Sequence, residues 1–132
     1  MNYFLDSNTC IYFLNNRSPR ISARLRATGP EKIRIPSMVK AELLHGAEKS
    51  VRREANLARV REFLAAFEIV PFCSYCAETY SVIRCQLEKS GTPIGPADLV
   101  IAATVLTQVG TLVTNNVSEF RRVAGLSVDN WV

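Results

Sequence analysis

Asn2-Tyr3-Phe4-Leu5-Asp6-Ser7-Asn8-Thr9-Cys10-Ile11-Tyr12-Phe13-Leu14 holds a short apolar run that stops at a carboxylate and then resumes. Residues 2–5 are few and continuously apolar, the pattern of a buried strand ending at Asp6. Ser7 and Asn8 are short polar residues suited to capping, so residues 9–14 are read as the helix that follows. A buried strand feeding directly into a helix is the opening unit of a parallel α/β sheet.

The rest of the chain repeats that unit. Ser18-Pro19 opens a helix through Arg26, and Gly29-Pro30 breaks it. Residues 32–35 form a second strand and Pro36-Ser37 opens a helix to Glu48. Residues 51–67 carry Leu57, Val60, Phe63, Leu64 and Phe67 at helical spacing. Residues 68–71 form a third strand, followed by a helix to Ser90. Pro96 opens a helix to Gln108, Gly110 ends it, residues 111–114 form a fourth strand and residues 126–131 a fifth. The expectation is one α/β domain over residues 1–132, with a mostly parallel sheet of four to five short strands. Ligands in such sheets sit beyond the carboxyl ends of the strands.

The amino-terminal segment has no basic region and meets Asp6 after three apolar residues, unlike a signal peptide. The apolar stretch at 99–112 is interrupted by Thr104, Thr107, Gln108 and Gly110 and is too short for a bilayer. These features predict a soluble, cytoplasmic chain with no membrane partner. Of the four cysteines, Cys73-x-x-Cys76 has the spacing of a zinc or redox pair. Cys85 lies nine residues from Cys76, His45 is the only histidine, and a redox motif needs its own βαβ setting. The reading preferred is a helix face on which Cys73, Ala77, Tyr80, Ile83 and Leu87 recur, with free Cys packing as a small hydrophobe.

Chemistry concentrates at the strand ends. Asp6 closes the first strand, Asp98 lies in the first turn of the helix opened by Pro96, and Asn115, Asn116 and Glu119 follow the fourth strand. Glu42 lies one turn into the helix after the second. Each has a plain alternative. Asp6 suits a helix cap, Asp98 suits a helix N-terminus, and Asn116-x-x-Glu119 has capping-box spacing. Glu42 has Met38, Val39 and Gly46 as helical neighbours, an apolar and small face on which an unpaired carboxylate is costly. Converging carboxylates repel, and their natural partner is a hard divalent cation that activates water for phosphodiester hydrolysis. His45 has no acid–base partner and is read as a helix-face residue.

The net charge is +4, from 16 basic and 12 acidic residues. With Asp6, Glu42, Asp98 and Glu119 set aside, 8 acids oppose 16 basic residues, a formal +8 around a −4 pocket. Arg17, Arg20, Arg24 and Arg26 form one group, Lys49, Arg52 and Arg53 a second, and Arg121 and Arg122 flank the last acid. A basic surface around an acidic pocket suits a polyanionic substrate.

Leu-Asp-Ser-Asn (5–8), Ala-Glu-Leu-Leu-His-Gly-Ala (41–47), Pro-Ile-Gly-Pro-Ala-Asp (93–98), Val-Thr-Asn-Asn-x-x-Glu-Phe (113–120) and Gly-Leu (125–126) occur in an order that resembles VapC toxins of the PIN family. The resemblance implies a three-layer α/β/α PIN-like domain and a Mg²⁺- or Mn²⁺-dependent endoribonuclease of a toxin–antitoxin pair. It implies metal-site roles for Asp6, Glu42 and Asp98. Asn116 stands where the family usually has Asp, which places the second metal ion in question and leaves Asn116 or Glu119 as the fourth member. It also implies an RNA substrate, often a tRNA loop, where bases and phosphates are exposed. The implied partner is a VapB-like antitoxin blocking the pocket with a basic side chain, in a homodimer or a toxin–antitoxin hetero-oligomer that reaches operator DNA only through the antitoxin.

Two other readings compete. An aspartyl-phosphate phosphatase needs a second acid two residues after the first, and Asn8 stands there. A catalytically silent module that binds an antitoxin or RNA is compatible with Asn116 but leaves the retained Asp6, Glu42 and Asp98 without a purpose.

Overall fold

Three- and four-residue strands that are apolar on both faces belong inside a parallel sheet covered on both sides. The computed structural model describes residues 1–132 and arranges five of them: β1 (Tyr3–Leu5), β2 (Ile33–Pro36), β3 (Glu68–Val70), β4 (Thr111–Val113) and β5 (Ser127–Asp129). Their order is β3-β2-β1-β4-β5 and every neighbouring pair is parallel. Leu5, Ile33, Ile35, Leu112 and Val113 in the three inner strands are fully buried. The edge strands β3 and β5 are more open.

Seven helices connect the strands: α1 (Ser7–Leu14), α2 (Pro19–Thr28), α3 (Ser37–Glu48), α4 (Arg53–Leu64), α5 (Ser74–Lys89), α6 (Pro96–Thr107) and α7 (Val117–Phe120). The connections β1–β2 and β2–β3 step outward in one direction, and β3–β4 and β4–β5 step in the other. Right-handed crossovers therefore place α1–α4 on one face and α5–α7 on the opposite face. Packing of α1 with α3 and α4, and of α5 with α6, agrees with this three-layer α/β/α arrangement. One cluster of buried apolar side chains runs through both layers.

The boundaries shift where local chemistry competes. Helix α1 begins at Ser7, two residues earlier than expected, because Asp6 is the N-cap and accepts the Thr9 N–H at 2.9 Å. Ser18 caps α2 as expected, accepting the Ile21 N–H. Lys32 falls in a 3-10 turn over Pro30–Lys32, so β2 starts one residue later and runs to Pro36. Helix α4 is shorter than the amphipathic pattern at 51–67, with Val51 wholly exposed and Phe67 beyond its end. On α5 the buried face is Cys76, Ile83 and Leu87, whereas Cys73 is the N-cap and Ala77 is exposed.

The end of α6 differs in mechanism. Gly110 N–H bonds to Val105 O and Val109 N–H to Leu106 O, the pairing of a Schellman stop. The left-handed position in it is Val109, at φ 55°, not the glycine. Gly110 is small for another reason: a Cβ there would lie 2.4 Å from the Phe4 ring.

Candidate active site

The strand order reverses between β1 and β4, which is where an open α/β sheet forms a crevice at its carboxyl edge. Asp6 stands at that crevice. Its N–H continues the ladder to Val113 O at 3.1 Å, and the Thr9 hydroxyl donates to the same carbonyl at 3.2 Å. The residue is 4% exposed. Burial pushes its carboxyl above the usual range, against hydrogen bonds from Thr114 and Thr9 and together with the charge of Glu42. The cap reading and the site reading of Asp6 are thus compatible, since one oxygen serves the helix.

Glu42 comes from the second turn of α3. It is half-buried, beside rather than within the buried stripe of Val39, Leu43 and Ala47. The costly apolar environment expected for it is absent, because the Ser7 hydroxyl donates to Oε1 at 2.5 Å. Asp6, and not Glu42, is the buried acid of the group.

Asp98 is half-buried in the first turn of α6. Its carboxyl is pushed up to about 7 by burial first, then by the charge of Glu119 and a hydrogen bond with it, then by Glu42 and Asp6. Glu42 thus acts on Asp6, and Glu119, Glu42 and Asp6 act on Asp98, which places the four acids at one edge of the sheet. Glu119 does not complete a capping box. One of its oxygens accepts the Gly95 N–H at 3.1 Å, at the N-cap of α6, and the other accepts from the Asn116 amide. The Asn116 N–H bonds instead to the Thr114 hydroxyl at 2.9 Å. Asn116 is exposed at the rim. His45 is exposed, three residues beyond Glu42 on α3.

Two contributors were not singled out from sequence. Thr114 is fully buried and its hydroxyl joins Asp6 to the Asn116 backbone. The signal for it is a lone hydroxyl at the end of an apolar strand. The Gly95 N–H has no side-chain signal.

The donor set is entirely hard oxygen, with mutual repulsion that a divalent cation relieves. As they stand, no three of these side chains form a group that could hold a metal ion. A magnesium-type ion keeps several waters and needs only one or two direct carboxylates, so an open cluster suits it. Asp6, Glu42, Asp98 and Glu119 have the chemistry to hold such an ion, with the Asn116 amide oxygen as a neutral addition. Around them the basic surface is narrower than composition alone indicates. Arg24 pairs with Asp129 and lies over the Trp131 ring, Arg53 pairs with Glu48, and Arg122 donates to Pro93 O. Arg17, Arg20, Arg26 and Arg121 remain exposed.

The PIN domain family model matches residues 3–126. The chain is 38% identical over 132 residues to Ribonuclease VapC2 of Rickettsia felis, covering 99% of this chain and 98% of that one. It is 35% identical over 131 residues to the tRNA(fMet)-specific endonuclease VapC of Salmonella typhimurium, with the same coverage. Among solved structures, DNA-bound VapBC from Salmonella typhimurium matches with a TM-score of 0.95 at 35% identity, covering 100% of this chain and 99% of the other. VapBC2 from Rickettsia felis bound to a promoter DNA fragment matches with a TM-score of 0.93 at 36% identity, covering both chains fully. With the acidic crevice at the switch point of an all-parallel sheet, these likenesses establish that the chain belongs to the PIN-domain family, among its VapC-type members.

Proposed function

We propose that residues 1–132 act as one PIN domain that is the toxin of a toxin–antitoxin pair, an endoribonuclease hydrolysing an RNA phosphodiester bond with Mg²⁺ or Mn²⁺. The observation that carries this reading is the convergence of four acids at one sheet edge, where Glu42 acts on the Asp6 carboxyl and Glu119, Glu42 and Asp6 act on that of Asp98. When bound, the ion supplies a polarised water and neutralises charge on the reacting phosphate.

The chain's own groups do the positioning. Asp6 is held rigid by its ladder and cap bonds at the head of the crevice. Ser7 turns Glu42 toward the same space. Asp98 holds its proton up to about 7, and Glu119 is fixed beside it by the Gly95 N–H and the Asn116 amide. Exposed Arg17, Arg20, Arg26 and Arg121 attract the polyanion. The substrate proposed is a tRNA loop, in line with the name of the Salmonella relative, a tRNA(fMet)-specific endonuclease.

The proposed partner is a VapB-like antitoxin, with DNA reached through it, as the DNA-bound VapBC complexes support. Beside Glu42 a cleft of about 250 Å³ is lined by Ile11, Leu14, Leu43, Val60 and Arg59. It accepts an apolar side chain next to a carboxylate that a basic antitoxin residue can engage. Self-association as a homodimer belongs to the same proposal. No helix is long and apolar enough to cross a membrane, and the cytoplasm is the compartment proposed.

The test is cleavage of total tRNA by the purified chain in Mg²⁺ or Mn²⁺, with EDTA and Asp6→Asn as controls. Asparagine caps a helix as well as aspartate does, so Asp6→Asn is expected to fold normally and to lose cleavage. If the folded wild-type chain neither cuts RNA nor binds Mn²⁺, the silent binding module takes the place of the nuclease.

A further inference from the structure

The objection to a redox reading of Cys73-x-x-Cys76 was the lack of a βαβ setting, and the fold supplies one. The pair sits at the junction of β3 and α5, the first part of the parallel crossover from β3 to β4. Cys73 is the N-cap of a 16-residue helix and Cys76 closes its first turn. Their sulfurs are 3.6 Å apart. A disulfide needs about 2.05 Å between sulfurs and Cβ atoms roughly 3.5–4.5 Å apart. Residues at this spacing in a helix start from about 5–6 Å, and the N-cap residue, at φ −93° and ψ −178°, lies outside the helical ladder.

The two thiols are unequal. Cys73 is partly exposed and Cys76 is fully buried, 3.9 Å from the Pro71 carbonyl. The Cys76 backbone N–H and then its thiol donate toward Cys73, which lowers the Cys73 thiol from its ordinary range. The helix N-terminus favours a thiolate in the same direction. The other cysteines lack this setting. Cys10 is buried under Asp6, with burial pushing its thiol far up, and Cys85 is exposed on the outer face of α5.

We propose that Cys73 and Cys76 form a reactive dithiol site that exchanges with low-molecular-weight disulfides, Cys73 attacking and Cys76 resolving. The Cys73 thiolate bonds to one sulfur of the external disulfide and expels the other as a thiolate. Cys76 then gives up its proton, bonds to the Cys73 sulfur and expels the second external thiolate. The chain loses two electrons and two protons as an internal disulfide forms, and one external disulfide becomes two thiols. The new bond spans one helical turn and leaves Asp6, Glu42, Asp98 and Glu119 where they are.

The experiment treats the fully reduced chain with glutathione disulfide near neutral pH, followed by acid quenching, alkylation and peptide mass mapping. The expected product is two hydrogens lighter, carries a Cys73–Cys76 link, and appears before Cys85 is glutathionylated. Cys76→Ser is expected to stop at a glutathione adduct on Cys73, and Cys73→Ser to leave Cys76 unmodified. A readout that needs no variant is iodoacetamide labelling of the wild-type chain, expected to be several-fold faster at Cys73 than at Cys85. Equal labelling of the two, or a stable glutathione adduct on wild-type Cys73 with no internal link, would overturn the proposal.

Discussion

Ser7 and Glu42 lie 35 positions apart in sequence and meet through one hydrogen bond, the Ser7 hydroxyl donating to Oε1 at 2.5 Å. Ser7 is free for this because Asp6 takes over the capping of α1. A hydrogen bond to a charged group contributes about 1.5–3 kcal/mol, and this one is part-buried, at the low end. Ser7→Ala is expected to lower kcat for RNA cleavage on the order of tenfold with little change in KM, and to lower the melting temperature by a few degrees. Ser7→Thr keeps the hydroxyl and should restore the rate. An unchanged rate in Ser7→Ala would show that Glu42 needs no orienting partner.

Glu119 anchors two groups at once, the Gly95 N–H and the Asn116 amide. Asn116→Asp removes the amide donor and sets another carboxylate against Glu119. The metal-free protein should melt a few degrees lower, and Mn²⁺ should bind more tightly, measured by calorimetry, with activity kept or raised. Loss of activity with fold and Mn²⁺ binding intact would assign the amide itself a specific role.

Asp98 links stability to pH. Its carboxyl ionises near 3.8 when unfolded and near 7 in the folded chain, so between those values the folded state binds more protons. Stability gained from that proton is full below about 4 and is lost as pH rises through about 7; the raised carboxyl of Asp6 acts with the same sign. In EDTA the melting temperature should therefore fall between about pH 5 and about pH 8. Asp98→Asn should flatten that profile, and Mn²⁺ at the higher pH should recover the loss by binding the folded state. A flat wild-type profile would mean that burial and the neighbouring acids do not raise the Asp98 carboxyl.

Val109 holds the left-handed turn after α6 and is 89% exposed. A β-branched residue there costs about 1–2 kcal/mol. Val109→Gly should raise stability by roughly 1 kcal/mol in urea unfolding, the entropy of the unfolded glycine offsetting part of the gain. At the next residue, Gly110→Ala should cost about 1–3 kcal/mol by overpacking Phe4.

The alternation of short apolar runs with helical patterns determined the α/β class, because a strand buried on both faces and a helix buried on one leave different local signatures. The acids at 6, 42 and 119 were legible because each follows a short apolar run on its carboxyl side, and Asp98 because it stands in the first turn of the helix opened by Gly95-Pro96. Sequence also carried the expected resemblance through motifs in fixed order. What the tertiary structure decided is how these residues use one another. Capping fell to Asp6 and not to Ser7 because the strand ladder to Val113 fixes the Asp6 backbone, and Glu42 acquired a hydroxyl partner instead of an apolar bed. Glu119 reached Gly95, 24 residues away, in place of its own helix cap, and the sulfurs of Cys73 and Cys76 came to 3.6 Å apart. Local propensity acts within a few residues, whereas burial, charge repulsion and hydrogen-bond choice depend on groups that only the folded sheet brings to one edge.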